Sequence, residues 1–152
     1  MDAKIINAFL TAGMNTFQSM FGIHAEPKEA HLLDLRSGHP WDISGILGIS
    51  GNCHGIVIFR LHKILAGKML ALSGVQYKPE EFVTLATELV KEFTNIISGN
   101  AISELKDTYL EITPPHVVTG HNHEINWSKQ FPVIAIPFST PKGPFEVDVS
   151  FY

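Results

Sequence analysis

The chain has 152 residues, 45% of them hydrophobic, and a formal net charge of −4. That size and composition suit one domain, residues 1–152, with its own core, and exclude wholesale disorder. The absence of a basic footprint argues against nucleic acid as a partner, and no stretch approaches the ~20 apolar residues that span a bilayer. The single cysteine, Cys53, excludes an internal disulfide and favours a reducing compartment. Residues 1–22 lack the basic start and continuous apolar run of a signal peptide, so the expected setting is the cytoplasm.

In chain order, Asp2 to Phe21 reads as an amphipathic helix with Ile5, Ile6, Phe9, Leu10, Phe17, Met20 and Phe21 on its apolar stripe. Asp2 can cap its start and Gly22 can end it. Ala25 to Leu35 looks extended. Ile43 to Ile49 and Gly55 to Leu61 read as strands joined at Ser50-Gly51-Asn52-Cys53, which has good turn chemistry. Gly45, Gly48 and Gly55 in or beside them point to bends or close backbone approach. A short helix from His62 to Ser73 ends at Gly74. Pro79-Glu80-Glu81 then opens a long helix reaching Leu105, with proline and acids suited to its first turn. Strands follow at Tyr109 to Thr113, Val117 to Gly120, Phe131 to Ser139 and Phe145 to Phe151. Thr140-Pro141-Lys142-Gly143 turns between the last two, and Pro137 argues for an edge or bulge in its strand. The segregated order of helices and strands predicts an α+β fold with mostly antiparallel pairing in a sheet of about six strands.

The long helix carries the most informative pattern. Phe82, Leu85, Ala86, Leu89, Val90, Phe93, Ile96 and Ile97 fill its apolar face. Glu88, Glu92, Asn95 and Gly99 lie within about 60° of arc on a polar stripe beside it. Two features of that stripe oppose stability. Glu88 and Glu92 are like charges one turn apart, costing roughly 0.2–0.5 kcal/mol. Gly99 costs up to about 1 kcal/mol relative to Ala inside a helix. Residues that break local rules together invite a functional reading. Glu92 and Asn95, at i and i+3, point the same way. An amide can hold a water through one donor and one acceptor, while the carboxylate grips a lysine or orients the amide. Such a pair suits the positioning of water beside a phosphoryl group. Spacing alone favours an ordinary solvated helix face.

The run Glu88-Leu-Val-Lys-Glu92-Phe-Thr-Asn95-Ile-Ile-Ser-Gly99-Asn100-Ala101 resembles the signature helix of the CheC/CheX/FliY family of chemotaxis phosphatases, most of all its single-site, dimeric CheX branch. The likeness extends to the glycine-marked hairpin Ser44 to Val57, to Pro115-His116-Val117-Val118-Thr119-Gly120, and to the closing strands Phe131 to Phe138 and Gly143 to Phe151. The resemblance implies a CheC/CheX-like fold and hydrolysis of the phosphoaspartate on a CheY-type response regulator. Glu92 would contact a lysine of the regulator and Asn95 would orient the attacking water. Glu88 and Gly99 would border the partner, Gly99 by letting its backbone come close. No cofactor or metal of the chain's own is implied; the Mg²⁺ would belong to the regulator. A homodimer is the implied assembly. The family usually has Asp or Ser at the position of Glu88, and Pro115 lies somewhat closer to Asn95 than is usual. Two-site relatives repeat Glu-x-x-Asn on the first helix, where Ala12 precedes Asn15 here, so one site per chain is expected.

Two alternatives stand beside the phosphatase. One is a binding module of the same fold that sequesters a receiver domain without hydrolysis. The other, weaker, is a metal-dependent hydrolase built on His121-Asn122-His123-Glu124, where an extended strand would put both imidazoles on one side, in position to share Zn²⁺. Phe151-Tyr152 at the end of a terminal strand offers a candidate intersubunit edge.

Overall fold

The computed structural model describes residues 3–152; the expected cap at Asp2 lies outside the described residues. Three α-helices, α1 (Ala3–Phe21), α2 (Lys63–Leu72) and α3 (Phe82–Glu104), accompany eight strands. These are β1 (Glu26–Pro27), β2 (His31–Leu32), β3 (Ile43–Gly51), β4 (Gly55–Leu61), β5 (Leu110–Ile112), β6 (His116–Thr119), β7 (Ile134–Ser139) and β8 (Phe145–Phe151). The strands form one antiparallel sheet in the order β1-β7-β8-β4-β3-β5, with β2 sharing β7 and β6 sharing β3. The α+β reading holds. The sheet has eight strands where about six were expected, partly because the extended segment after α1 divides into two short ones.

Local chemistry explains the boundaries. Gly22 adopts φ 67° and ends α1 with its N–H on the Gln18 carbonyl at 2.8 Å. Gly74, at φ 76°, closes the turn after α2 in the same way. Pro79–Glu81 forms a single 3-10 turn that leads into α3. Pro137 does not mark a free edge: β7 is paired with β8 on one side and with β1 and β2 on the other. Its missing N–H falls at the break between those two short strands, where the Pro137 carbonyl accepts the Lys28 N–H at 2.8 Å.

The alternation along the central strands sorts the sheet into two faces. Phe59, Leu61, Phe145, Val147, Ile136 and Phe138 point to the helices and are buried. Phe93 of α3 meets Phe17 and Phe21 of α1, Phe59 of β4 and Phe145 of β8, with ring centroids 4.8–6.3 Å apart. Aromatic pairs of this kind add about 0.5–1.5 kcal/mol each beyond their area burial, so Phe93 pins α3 at mid-length. The opposite face carries Ser44, Ile58, Arg60 and Asp148, also buried. Residues 33–42 and 120–133 close over it, tied together where His39 Nε2–H donates to the His123 carbonyl.

The terminal strand is interior. β8 is paired with β4 along its whole length and with β7 from Phe145 to Val149, and Phe151 is buried, so the expected edge at Phe151-Tyr152 is confined to the last residues of the strand, on the β7 side. Local sequence pattern could not show that the last strand inserts between two earlier ones. Among the described residues, no helix is long and apolar enough to cross a membrane.

Candidate functional site

Glu88, Glu92 and Asn95 are all exposed on α3, and of the residues between them only Lys91 is exposed. Leu89, Val90, Phe93 and Thr94 are buried, so the chemistry-bearing side chains ride on a turn whose other face is locked in the core. Among the described residues, the side chains of Glu92 and Asn95 engage in no hydrogen bond or ion pair. They are free to meet a partner.

The rotation of α3 is fixed by an unusually close approach to β3. Thr94 Oγ1 donates to the Val90 carbonyl at 2.6 Å and lies over Gly45. A Cβ on Gly45 would stand 2.1 Å from that oxygen, a distance no side chain tolerates. Glycine at position 45 is therefore what lets the helix sit at this depth. The close approach expected from the sequence occurs here and at Gly55, where a Cβ would meet the Phe151 ring at 2.8 Å.

A groove of about 480 Å³ runs beside the polar stripe, between α3 and the segment after β5. Glu88, Lys91, Glu92 and Asn95 form one wall; Ile112, Thr113, Pro114 and Pro115 form the other. The second wall hangs from β3 as well. Thr113 N–H donates to the Gly48 carbonyl and Thr113 Oγ1 accepts the Gly48 N–H, each at 2.8 Å. The structure thus brings three of the four expected residues to one groove. Gly99 is not part of its lining. It lies one turn beyond Asn95, and a Cβ there would meet nothing within 4 Å. No packing inside the chain requires glycine at 99.

Lys91, Thr113 and Pro114 were not singled out from the sequence. Lys91 precedes Asn95 by four residues, so helical spacing was signal enough to find it. Pro115 was marked by the family resemblance and not by local pattern; the nearness of the Pro114-Pro115 pair to α3 is a tertiary fact.

The histidine cluster does not assemble. Gly120 at φ 131° and Asn122 at φ 57° turn the chain, so the segment is not an extended strand. His121 Nδ1 lies 3.3 Å from Asp42 Oδ1 at the surface. His123 is committed elsewhere: Nδ1 donates to the Gly120 carbonyl at 2.8 Å and Nε2 accepts from Ser44 Oγ at 2.6 Å. Among the described residues, no three His, Cys, Asp or Glu side chains are placed to hold a metal ion. The zinc hydrolase reading loses its geometric basis.

With the groove defined, comparison with known proteins becomes informative. Residues 43–139 match the family model of the chemotaxis phosphatase CheX. The chain belongs to the CheX family. Solved structures agree over nearly its whole length. A CheC-like superfamily protein from Shewanella sp. PV-4 superposes with a TM-score of 0.88 at 27% identity, covering 100% of this chain and 99% of the other. The chemotaxis protein CheX from Desulfovibrio desulfuricans gives 0.84 at 28% identity, with 97% and 99% covered. The Borrelia burgdorferi protein, solved as a CheX–CheY–BeF₃–Mg²⁺ complex, gives 0.82 at 25% identity, with 96% of each chain covered. No curated protein sequence matches the chain. The CheX match includes β3, all of α3 and the Ile112–Pro115 wall, so every residue lining the groove lies within it.

Proposed function

We propose that this chain accelerates hydrolysis of the phosphoaspartate on a CheY-type response regulator, with Glu92 and Asn95 entering the regulator's active site. The observation that carries the reading is the pairing of rigidity with availability. Glu92 and Asn95 are exposed and uncommitted, while Phe93 and Thr94 between them are buried and fixed. Phosphoryl transfer asks a protein for positioning more than for covalent work, and a helix locked on its inner face supplies that. The Asn95 amide offers one donor and one acceptor to a water in line with the phosphorus. The Glu92 carboxylate fits a lysine on the regulator and so fixes the approach of the helix. The metal that neutralises the phosphoryl charge would come with the regulator. Gly99, bare of any neighbour within the chain, leaves room for the regulator's backbone. A CheX–CheY complex among the structural relatives supports a CheY-directed role.

The test is phosphate release from a Mg²⁺-bound, phosphorylated CheY-type receiver, with wild type and Asn95→Ala side by side. Wild type should accelerate release, and the variant should lose about 100-fold or more of that acceleration, as when one preorganised donor is removed from other active sites. Its stability should stay within about 0.5 kcal/mol of wild type, because the side chain is exposed and makes no contact the fold needs. Full activity in Asn95→Ala would refute the assignment. Tight binding of the phosphorylated receiver without acceleration would identify a sequestering module instead.

A further inference from the structure

Lys91 is the one cation lining the α3 groove, and the proposed function leaves it without a task. It is exposed, and among the described residues its ammonium makes no hydrogen bond or ion pair. Two carboxylates are at hand. Glu88 stands three residues before it, a spacing and order at which helical glutamate and lysine pair, and Glu92 follows it directly. Neither is taken. The groove's other wall, Ile112 to Pro115, carries no charge to offer it.

The placement of Lys91 relative to Asn95 is specific. At 100° per residue, Glu92 lies about 60° to one side of Asn95 and Lys91 about 40° to the other, each roughly one turn back. The helix thus presents an amide flanked by charges of opposite sign. Phe93 and Thr94 are buried and hold the rotation of α3, so the two charges cannot exchange sides. A phosphorylated, Mg²⁺-bound receiver carries both signs as well. It has the lysine assigned to Glu92, and it has the carboxylates by which a protein holds Mg²⁺ beside a phosphoryl group. An ammonium on the other side of Asn95 matches the second.

We propose that Lys91 pairs with a carboxylate on the metal-holding side of the receiver's active site, and that together with Glu92 it fixes the direction in which α3 enters. This rests on the proposed function, within which Lys91 is a positioning residue. The carboxylate is charged before and during hydrolysis, so the pair contributes alike to substrate and transition state. It therefore acts on KM and leaves kcat alone. It also steers encounter, an effect that salt screens.

Steady-state hydrolysis of the Mg²⁺-bound, phosphorylated receiver by wild type, Lys91→Arg, Lys91→Gln and Lys91→Glu tests this, at low and high salt. Titration calorimetry with the BeF₃⁻-loaded receiver accompanies it. KM should rise about fivefold in Lys91→Gln and about tenfold or more in Lys91→Glu, with kcat within about twofold of wild type. Lys91→Arg should keep the wild-type KM, and the differences should shrink at about 0.5 M salt. Urea midpoints should stay close to wild type. A lysine that merely separated Glu88 from Glu92 would act on stability alone, and that result would overturn the inference. Wild-type KM and salt dependence in Lys91→Glu would overturn it too, with the phosphatase intact. So would a fall in kcat at unchanged KM, which would put the ammonium on the phosphoryl oxygens instead. A wild type that accelerates nothing would refute the proposed function, and calorimetry then decides the pairing alone: equal affinity of wild type and Lys91→Glu for the BeF₃⁻-loaded receiver refutes it.

Discussion

Gly45→Ala is the most demanding test of how the site is held. The new methyl would lie 2.1 Å from Thr94 Oγ1 and 3.1 Å from both Thr94 Cβ and Val90 Cγ1. The first contact falls about 1.3 Å inside ordinary van der Waals separation, far beyond what a packed core absorbs. Thr94 has no easy escape, since it is 1% exposed and its hydroxyl is bound to the Val90 carbonyl. Either α3 lifts from β3 or the strand bends. Overpacking of this kind costs about 1–3 kcal/mol. A shift near 1 Å at Asn95 should lower the proposed phosphatase activity about 100-fold. Thr94→Ala alone should cost about 1 kcal/mol through its lost hydrogen bond. The two changes should not add. In Gly45→Ala/Thr94→Ala the 2.1 Å contact is gone, and the contacts near 3.1 Å that remain need a small shift of their neighbours. Urea denaturation of all four proteins should therefore give a coupling energy of at least about 1 kcal/mol in favour of the double variant, beyond the usual scatter of independent sites. Phosphate release should recover in parallel. Additive stabilities, or a Gly45→Ala protein as stable and active as wild type, would refute the argument that this contact sets the helix.

Two further outcomes follow from single groups. Gly99→Ala should stabilise the protein by about 0.5–1 kcal/mol, because the methyl meets open space and alanine favours the helix; in the same protein kcat/KM on the phosphorylated receiver should fall, and unchanged kinetics would show that no partner backbone approaches there. Asp148→Asn should flatten the pH dependence of stability. Burial and Glu146 raise the Asp148 carboxyl above 3.8 in the folded protein while Arg60 pulls it down, so the folded state holds that proton more tightly than the unfolded chain does. Its contribution is then fully present below 3.8 and is lost as pH rises through the higher folded value. Urea midpoints measured across roughly pH 4 to 8 should slope downward more in wild type than in the variant, and identical profiles would remove Asp148 from the account.

The parts of the fold that were legible in the sequence are those decided locally. The long helix announced itself by the apolar spacing from Phe82 to Ile97, and the turns at Gly22, Gly74 and Gly51 by glycine, which all three structural turns use at positive φ. Glu92 and Asn95 could be named because helical spacing puts them on one stripe. What escaped depends on contacts far apart in the chain. No local pattern says that β8 enters between β4 and β7, so a free terminal strand was expected where the strand is interior as far as Val149. The His121–His123 spacing pointed to a shared side only while the segment was taken as extended, and positive φ at Gly120 and Asn122 removes that premise. Arg60 drew no attention because one arginine in an apolar strand carries no motif; its buried pairing with Asp148 is visible only when the neighbouring strands are placed.

Both walls of the α3 groove are tied to the same strand. Gly45 on the helix-facing side of β3 admits Thr94, which fixes the depth and rotation of α3. Three residues on, Gly48 exchanges two hydrogen bonds with Thr113, which fixes the proline wall. β3 is itself held on its other edge by seven register pairs with β4, so its freedom to slide is small. The width of the groove is therefore governed in large part by a sheet strand beneath both walls. Glu88, Lys91, Glu92 and Asn95 can vary in size and charge to suit a partner without loosening the frame, because none of them contributes to the core. On the proposed function, such an arrangement separates affinity, assigned to solvent-facing side chains, from geometry, assigned to two glycines beneath them.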